Sequence, residues 1–286
     1  MGYSILEKRV KRILDDIIDV AYADRSEQQR KLFKWYDYNV IPKEVGSYCG
    51  RYIYKGHRIE IHNGSLGPSH LAKCSLHELA HHIDYIENGT SGHQKPFYEA
   101  YTKLIYASLD MGILNKNDFD DNWSSDRNKV KKIVSIYQRT DVAYEKKDMQ
   151  TIKVYNSFKI KDTLKARDYG YNPIEYTWEK DFESGLEIEE AIYLESLNVK
   201  REKGGSNLKN TYFEIQKMNM YIDALVLIGV TGNTYEKKEY LKPYGFYYKP
   251  EGKTWIAKCK SSEQETFIKT LNEDPNLSGL QFGIAN

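Results

Sequence analysis

The chain is short of cysteine, of net charge and of long apolar runs. Among 286 residues there are three cysteines, Cys49, Cys74 and Cys259, with no paired spacing. That argues against a disulfide framework and fits a reducing cytosol, so a cytoplasmic location is expected. Net charge is +1. Up to residue 150 there are 23 Lys+Arg against 21 Asp+Glu, and beyond it 19 against 20. Neither half attracts nucleic acid or anionic lipid through its overall charge. No 18 consecutive residues are apolar, which excludes a membrane-spanning helix. The opening MGYSILEKRVKRILDD interleaves charge with apolar residues and lacks the unbroken core of a signal peptide.

What is present can build a folded protein. Hydrophobic residues make up 40% and charged residues 29%, so a core can form and the chain is no disordered tail. The length suggests two domains, or one domain with smaller modules. Ile5, Leu6, Val10, Ile13, Leu14, Ile17 and Ile18 share one helical face, predicting an amphipathic helix over 3–22. Ser26 and Gln29 form a capping-box pattern opening a second helix to about Tyr38. RYIYKGHRIEIHN, residues 51–63, alternates around a Lys-Gly centre and reads as a hairpin whose second strand is 58–62. After GSLGPS a helix starts near Ser69 and stops at Asn88-Gly89. Another follows Gly92-His93 and carries Phe97, Tyr101, Leu104, Ile105 and Leu109. A further helix is expected over 126–138.

The second half contains an internal repeat. NSFKIKDTLKARDYGYNPIEYTW, residues 156–178, aligns without a gap on NTYEKKEYLKPYGFYYKPEGKTW, residues 233–255. Matched pairs include Phe158/Tyr235, Leu164/Leu241, Lys165/Lys242, Tyr171/Tyr248, Pro173/Pro250 and Trp178/Trp255. An apolar strand precedes each copy. Ser157 or Thr234 is placed to cap a short helix, a hairpin carries the tyrosine and tryptophan, and a last helix follows at 186–197 or 262–271. Each copy is therefore a small β-α-β-β-α unit, with REKGGSNLKN, 201–210, as the linker between them.

The chemistry concentrates in HELAHHIDYIENGTSGH, His77 to His93. Residues four apart on a helix lie one turn apart on one face, so His77 and His81 can aim imidazole nitrogens at one ion. Glu78, beside His77, is placed not to bind metal but to take a proton from metal-bound water. A third ligand must come from elsewhere. Glu87 falls two turns beyond His81 and out of reach. His93, carried back after the Gly89 stop, is the first candidate, and Glu99 on the next helix is the reserve. His82 is about 100° round the helix from His81 and is expected on the polar face. Cys74 is expected as a packing cysteine, and Asp84 either orients a ligand or faces solvent.

HELAH, a short spacer and GHQKPFY resemble the SprT-like zincin metallopeptidases, including the Spartan type that cleaves proteins crosslinked to DNA. His77, Glu78, His81 and His93 map onto their HExxH and Gly-His pattern, with Phe97 as the aromatic that follows. The resemblance covers about residues 50–110. It implies a Zn2+ cofactor, a protein or peptide substrate, and an edge strand at 58–62 that pairs with the substrate. Repressor-cleaving proteases of the ImmA type share HExxH but take a later acidic ligand, which favours Glu99. The repeats are similar to short modules of phage and mobile-element proteins and loosely to the HARP domain of DNA-annealing helicases. That likeness implies DNA or RNA contact through Lys165, Tyr171, Trp178, Lys242, Tyr248 and Trp255. The residues themselves favour core packing for the two tryptophans.

The expected fold is α+β: a mainly helical zincin-like domain with a small sheet over 1–146, one module at 147–204, then the linker and second module at 205–286. The expected function is zinc-dependent endopeptidase, its repeats directing it to nucleic acid or nucleoprotein. The alternative is a mobile-element DNA-binding or anti-defence protein with a structural or vestigial zinc site.

Overall fold

The computed structural model describes residues 4–120, 126–140, 144, 147–201, 210–218 and 222–285. Among the described residues the fold is mixed α+β with three small sheets. In chain order come α1 (Ile5–Ala21), α2 (Glu27–Phe33), β1 (Asp37–Val40), β2 (Gly50–Ile53), β3 (Arg58–Ile61), α3 (Pro68–Asn88), α4 (Lys95–Asp110) and α5 (Arg127–Ser135). The first module holds β4 (Met149–Tyr155), α6 (Lys161–Ala166), β5 (Gly170–Asn172), β6 (Thr177–Glu183), α7 (Glu187–Ser196), β7 (Lys200–Arg201) and β8 (Tyr212–Lys217). The second holds β9 (Leu225–Thr231), α8 (Lys238–Leu241), β10 (Tyr247–Lys249), β11 (Thr254–Lys260), α9 (Gln264–Glu273) and β12 (Gln281–Ile284).

Two compact units emerge. One joins Met1–Arg9 to Glu145–Tyr221, and the other joins Val10–Tyr144 to Ile222–Asn286. The sequence-based partition at 146 and 204 therefore changes in two ways. β8 pairs with β4 in register Ile152↔Ile215, so the first module's sheet runs on to Lys217. The second module packs in one unit with the N-terminal helices. There a Cβ on Gly64 would meet Ala224 Cβ at 3.2 Å, and Gln264 donates to the Ser65 carbonyl. Of the expected linker, residues 202–209 lie outside the described residues, and its flanks at β7 and β8 are strands of the first module.

The N-terminal elements follow their local signals closely. All seven apolar residues assigned to the face of α1 are buried. Ser26 and Gln29 make the reciprocal capping box, but α2 ends at Phe33, not Tyr38. Residues 37–40 are instead β1, parallel to β3 in register Tyr38↔Ile59. Tyr38 is fully buried, and its hydroxyl bonds the Ser75 hydroxyl at 2.7 Å, fastening this sheet to α3. The sheet order is β1-β3-β2, so β3 is central and not the edge strand the sequence implied; β2 lies at the edge. Pro68 sits in the first turn of α3, where its missing N–H costs nothing. Gly89 ends the helix at φ 72°, a left-handed conformation that suits glycine.

Each module is a β-α-β-β-α unit. The repeat offset of 77 extends to the packing: Leu164/Leu241, Tyr169/Phe246 and Leu194/Leu271 are buried in both. Trp178 and Trp255 pack half-buried against those cores. The expected side-chain caps do not form. Ser157 makes no cap bond, and a 3-10 turn, Phe158–Ile160, intervenes before α6; in the second copy Lys237 takes the cap position of α8. The modules differ inside. Glu179, wholly buried, accepts from Arg9 (2.9 Å), Asn172 (2.8 Å) and Thr177 (2.8 Å). At its counterpart, 77 residues on, stands the buried Ile256.

Candidate metal centre

The three imidazoles named from the sequence come together. α3 presents His77 and His81 one turn apart. After Gly89 the chain reverses through a turn in which the Gln94 amide donates to the Gly92 carbonyl at 2.7 Å, and this returns His93. His93 Nε2 stands 3.1 Å from His77 Nε2 and 3.2 Å from His81 Nε2. All three donor atoms lie within 4.8 Å of one another. Two nitrogens bound at ~2.05 Å to a tetrahedral zinc are separated by about 3.3 Å, so the spacing fits one ion with a fourth position left for water or substrate.

The supports of this cluster are aromatic and polar. Phe97, fully buried at the start of α4, lies 4.3 Å from the His81 ring, 4.8 Å from His93 and 5.0 Å from His77, centroid to centroid. The Ser91 hydroxyl meets His81 Nδ1 at 2.9 Å and so orients Nε2 inward. Asp126 approaches His93 Nε2 to 3.6 Å while accepting from the Tyr98 hydroxyl at 2.6 Å. Burial, then the charges of His81 and His93, pushes the His77 imidazole down to about 3; burial, then His93, takes His81 to about 4. Both rings are thus held neutral, the form that binds metal. Ser91, Tyr98 and Asp126 were not found from the sequence. Ser91 sits in the GTSGH loop, but no spacing rule marks a hydroxyl partner. Asp126 arrives from the start of α5, a long-range approach.

Glu78 lies beside His77 and is buried against β2. A Cβ on Gly50 would come within 2.8 Å of Glu78 Cγ, so only glycine fits at the head of that strand without a shift. Burial pushes the Glu78 carboxyl up to about 8, opposed by a hydrogen bond from the Tyr52 backbone. A carboxyl tuned in that way can hold or release a proton near neutrality.

The neighbouring residues sort themselves. His82 is not on a polar face: it is fully buried, with Nδ1 3.1 Å from the Tyr52 hydroxyl, because the hairpin and α2 cover that side of α3. Asp84 is buried and accepts from Asn88 at 2.9 Å. Glu87 pairs with Arg25 at 3.1 Å, away from the histidines, as its position predicts. Glu99 is exposed beside Lys95 and is not among the clustered donors. Cys74 is buried, but its sulfur is bonded to that of Cys49 in a disulfide, which the spacing had not suggested.

The repeat residues occupy matched places. Tyr171 lies 5.4 Å from Trp178, and Tyr248 lies 5.9 Å from Trp255. Lys165 stands 5.7 Å over the Trp178 ring. Both lysines have acidic neighbours three residues back: Lys165 with Asp162 at 3.6 Å and Lys242 with Glu239 at 2.7 Å. Among the described residues the most exposed aromatics are Phe158 at 78% and Tyr235 at 79%, which the sequence had not marked as site residues. They are a matched pair of the repeat, so the alignment itself held the signal.

Comparison with protein-family models, with curated proteins and with solved structures finds no match to this chain. Among the described residues no helix is long and apolar enough to cross a membrane.

Proposed function

We propose that this protein is a zinc-dependent endopeptidase resembling the SprT-like zincins, acting on protein or peptide. The observation that carries the reading is the convergence of His77, His81 and His93 Nε2 at zinc-like spacing, with the buried Glu78 next in sequence to the first of them. A bound zinc would supply Lewis acidity and a water of lowered pKa. The chain supplies the rest. Its neutral imidazoles hold the ion and Ser91 fixes the His81 ring. Glu78 takes the proton from the attacking water and passes it to the leaving amine nitrogen. β2, at the sheet edge and against Glu78, offers backbone groups for an extended substrate to pair with.

A second reading draws on the modules. The matched exposed pair Phe158 and Tyr235, with the Tyr–Trp clusters, suits stacking on bases. On that reading the repeats bring the site to nucleic acid or nucleoprotein, or the whole chain is a DNA-binding protein whose zinc serves structure. Casein cleavage by the zinc-loaded protein, with and without single-stranded DNA, separates these. Cleavage lost to a chelator, regained with zinc and absent in Glu78→Gln supports the peptidase. Equal cleavage by Glu78→Gln rejects the mechanism, and tight DNA binding without proteolysis moves the function to the modules.

A further inference from the structure

Seven residues before the histidine pair, about two turns, α3 carries a second pair at the same spacing. His70 and Cys74 are both buried, with His70 Nε2 3.3 Å from Cys74 Sγ. Cys49, just before β2, brings a second sulfur, and the three donor atoms lie within 4.8 Å of one another. The Cα atoms of the two cysteines are 6.2 Å apart. We propose that Cys49, His70 and Cys74 form a second, redox-gated site for a thiophilic divalent cation of the zinc class.

The donor chemistry favours such an ion. Two thiolates and an imidazole suit zinc and tend to exclude magnesium or calcium. Two thiolates also cancel the charge of a dication, so the complex is neutral where helix and sheet meet, avoiding an unpaired buried charge. The disulfide and the metal complex exclude each other, because each uses both sulfurs. Two electrons and two protons from a dithiol reductant open the disulfide to two thiols. Those thiols lose their protons as the cation binds, and the sulfurs part to about 3.8 Å around it. In the reverse direction a small-molecule disulfide accepts the two electrons, leaves as two thiols, and the cation is released. Either state ties the residue before β2 to α3, one residue from Gly50 and thus close to Glu78.

The experiment reads metal, not cleavage, so it stands or falls apart from the peptidase reading. Full-length protein, stripped of metal and kept reduced without oxygen, is titrated with cobalt(II). Two equivalents bind, and one brings thiolate-to-cobalt charge-transfer absorption that three histidines cannot give. The double variant His77→Ala/His81→Ala keeps that absorption with one equivalent. Cys49→Ser, at a half-exposed position where folding is checked by circular dichroism, loses it, and His70→Ala weakens it at least tenfold. Oxidised glutathione releases the equivalent, and a dithiol restores it. A reduced wild-type protein with one equivalent and no thiolate absorption overturns the proposal. So does absorption that survives in Cys49→Ser, or a second equivalent retained after oxidation.

Discussion

Helix α3 carries two donor clusters built on one plan with different chemistry. Each takes two side chains four residues apart on the helix and a third from a neighbouring segment: His77, His81 and His93 in one, His70, Cys74 and Cys49 in the other. The histidine cluster opens outward, its third ring from a loop and exposed. The cysteine cluster is buried at two of its three members and completed by the residue just before β2. Helical spacing thus creates the pair, and the segment that covers it decides between access and enclosure. A trio with one exposed imidazole leaves room for a substrate, while a sulfur pair with one buried member acts as a clip.

That contrast can be broken from the histidine side first. His93→Ala removes one of three protein donors. A share of the ~10–16 kcal/mol typical of a structural zinc site puts the expected loss of affinity at about a thousandfold. Competition with a chromophoric chelator measures it, and cobalt absorption from the thiolates should be unchanged. Ser91→Ala leaves His81 Nδ1 without its 2.9 Å partner. Zinc affinity should drop by about 10–100-fold, in the same assay, with no effect at the cysteine cluster. Gly50→Ala sharpens the comparison, because Gly50 adjoins Cys49 and lies against Glu78. The added methyl displaces the carboxyl and lowers kcat by roughly tenfold, while zinc content stays whole; a 1 Å misplacement can cost more. Unaltered kcat in a folded Gly50→Ala would mean that Glu78 is not held by this strand. The smallest effect belongs to the exposed aromatics of the modules. Phe158→Ser and Tyr235→Ser change exposed side chains, so each should shift stability by no more than about 0.5 kcal/mol in urea melts.

Local signals made much of this legible. Pro68 and Gly89 bracket α3, the Ser26–Gln29 box opens α2, and the Lys-Gly centre turns the hairpin, since each acts within a few residues. The histidine spacing, likewise local, located the imidazole cluster. What escaped depends on distant partners. β1 has four residues, too few for a periodic pattern, and becomes a strand only by pairing with β3. That pairing also makes β3 central and transfers the edge to β2. His82 was misplaced because α3 is covered on more than one face, so polar residues there are buried with partners and do not mark solvent. The Cys49–Cys74 link joins the residue before a strand to a helix across 25 residues, beyond any motif. In the modules the sequence alignment ended at Trp178 and Trp255. The buried Leu194/Leu271 match continues it, because helices after the hairpin close the same core.

The contact of Gly64 with Ala224, and of Gln264 with Ser65, bears on how the protein is dissected. Cutting before residue 222 to isolate the histidine cluster would uncover the turn that leads into α3 and leave the Ser65 carbonyl to water. The last sixty or so residues are a buttress for the helix that bears the histidines. A shortened chain that proves inert would therefore report a loosened helix before it reported a lost tether.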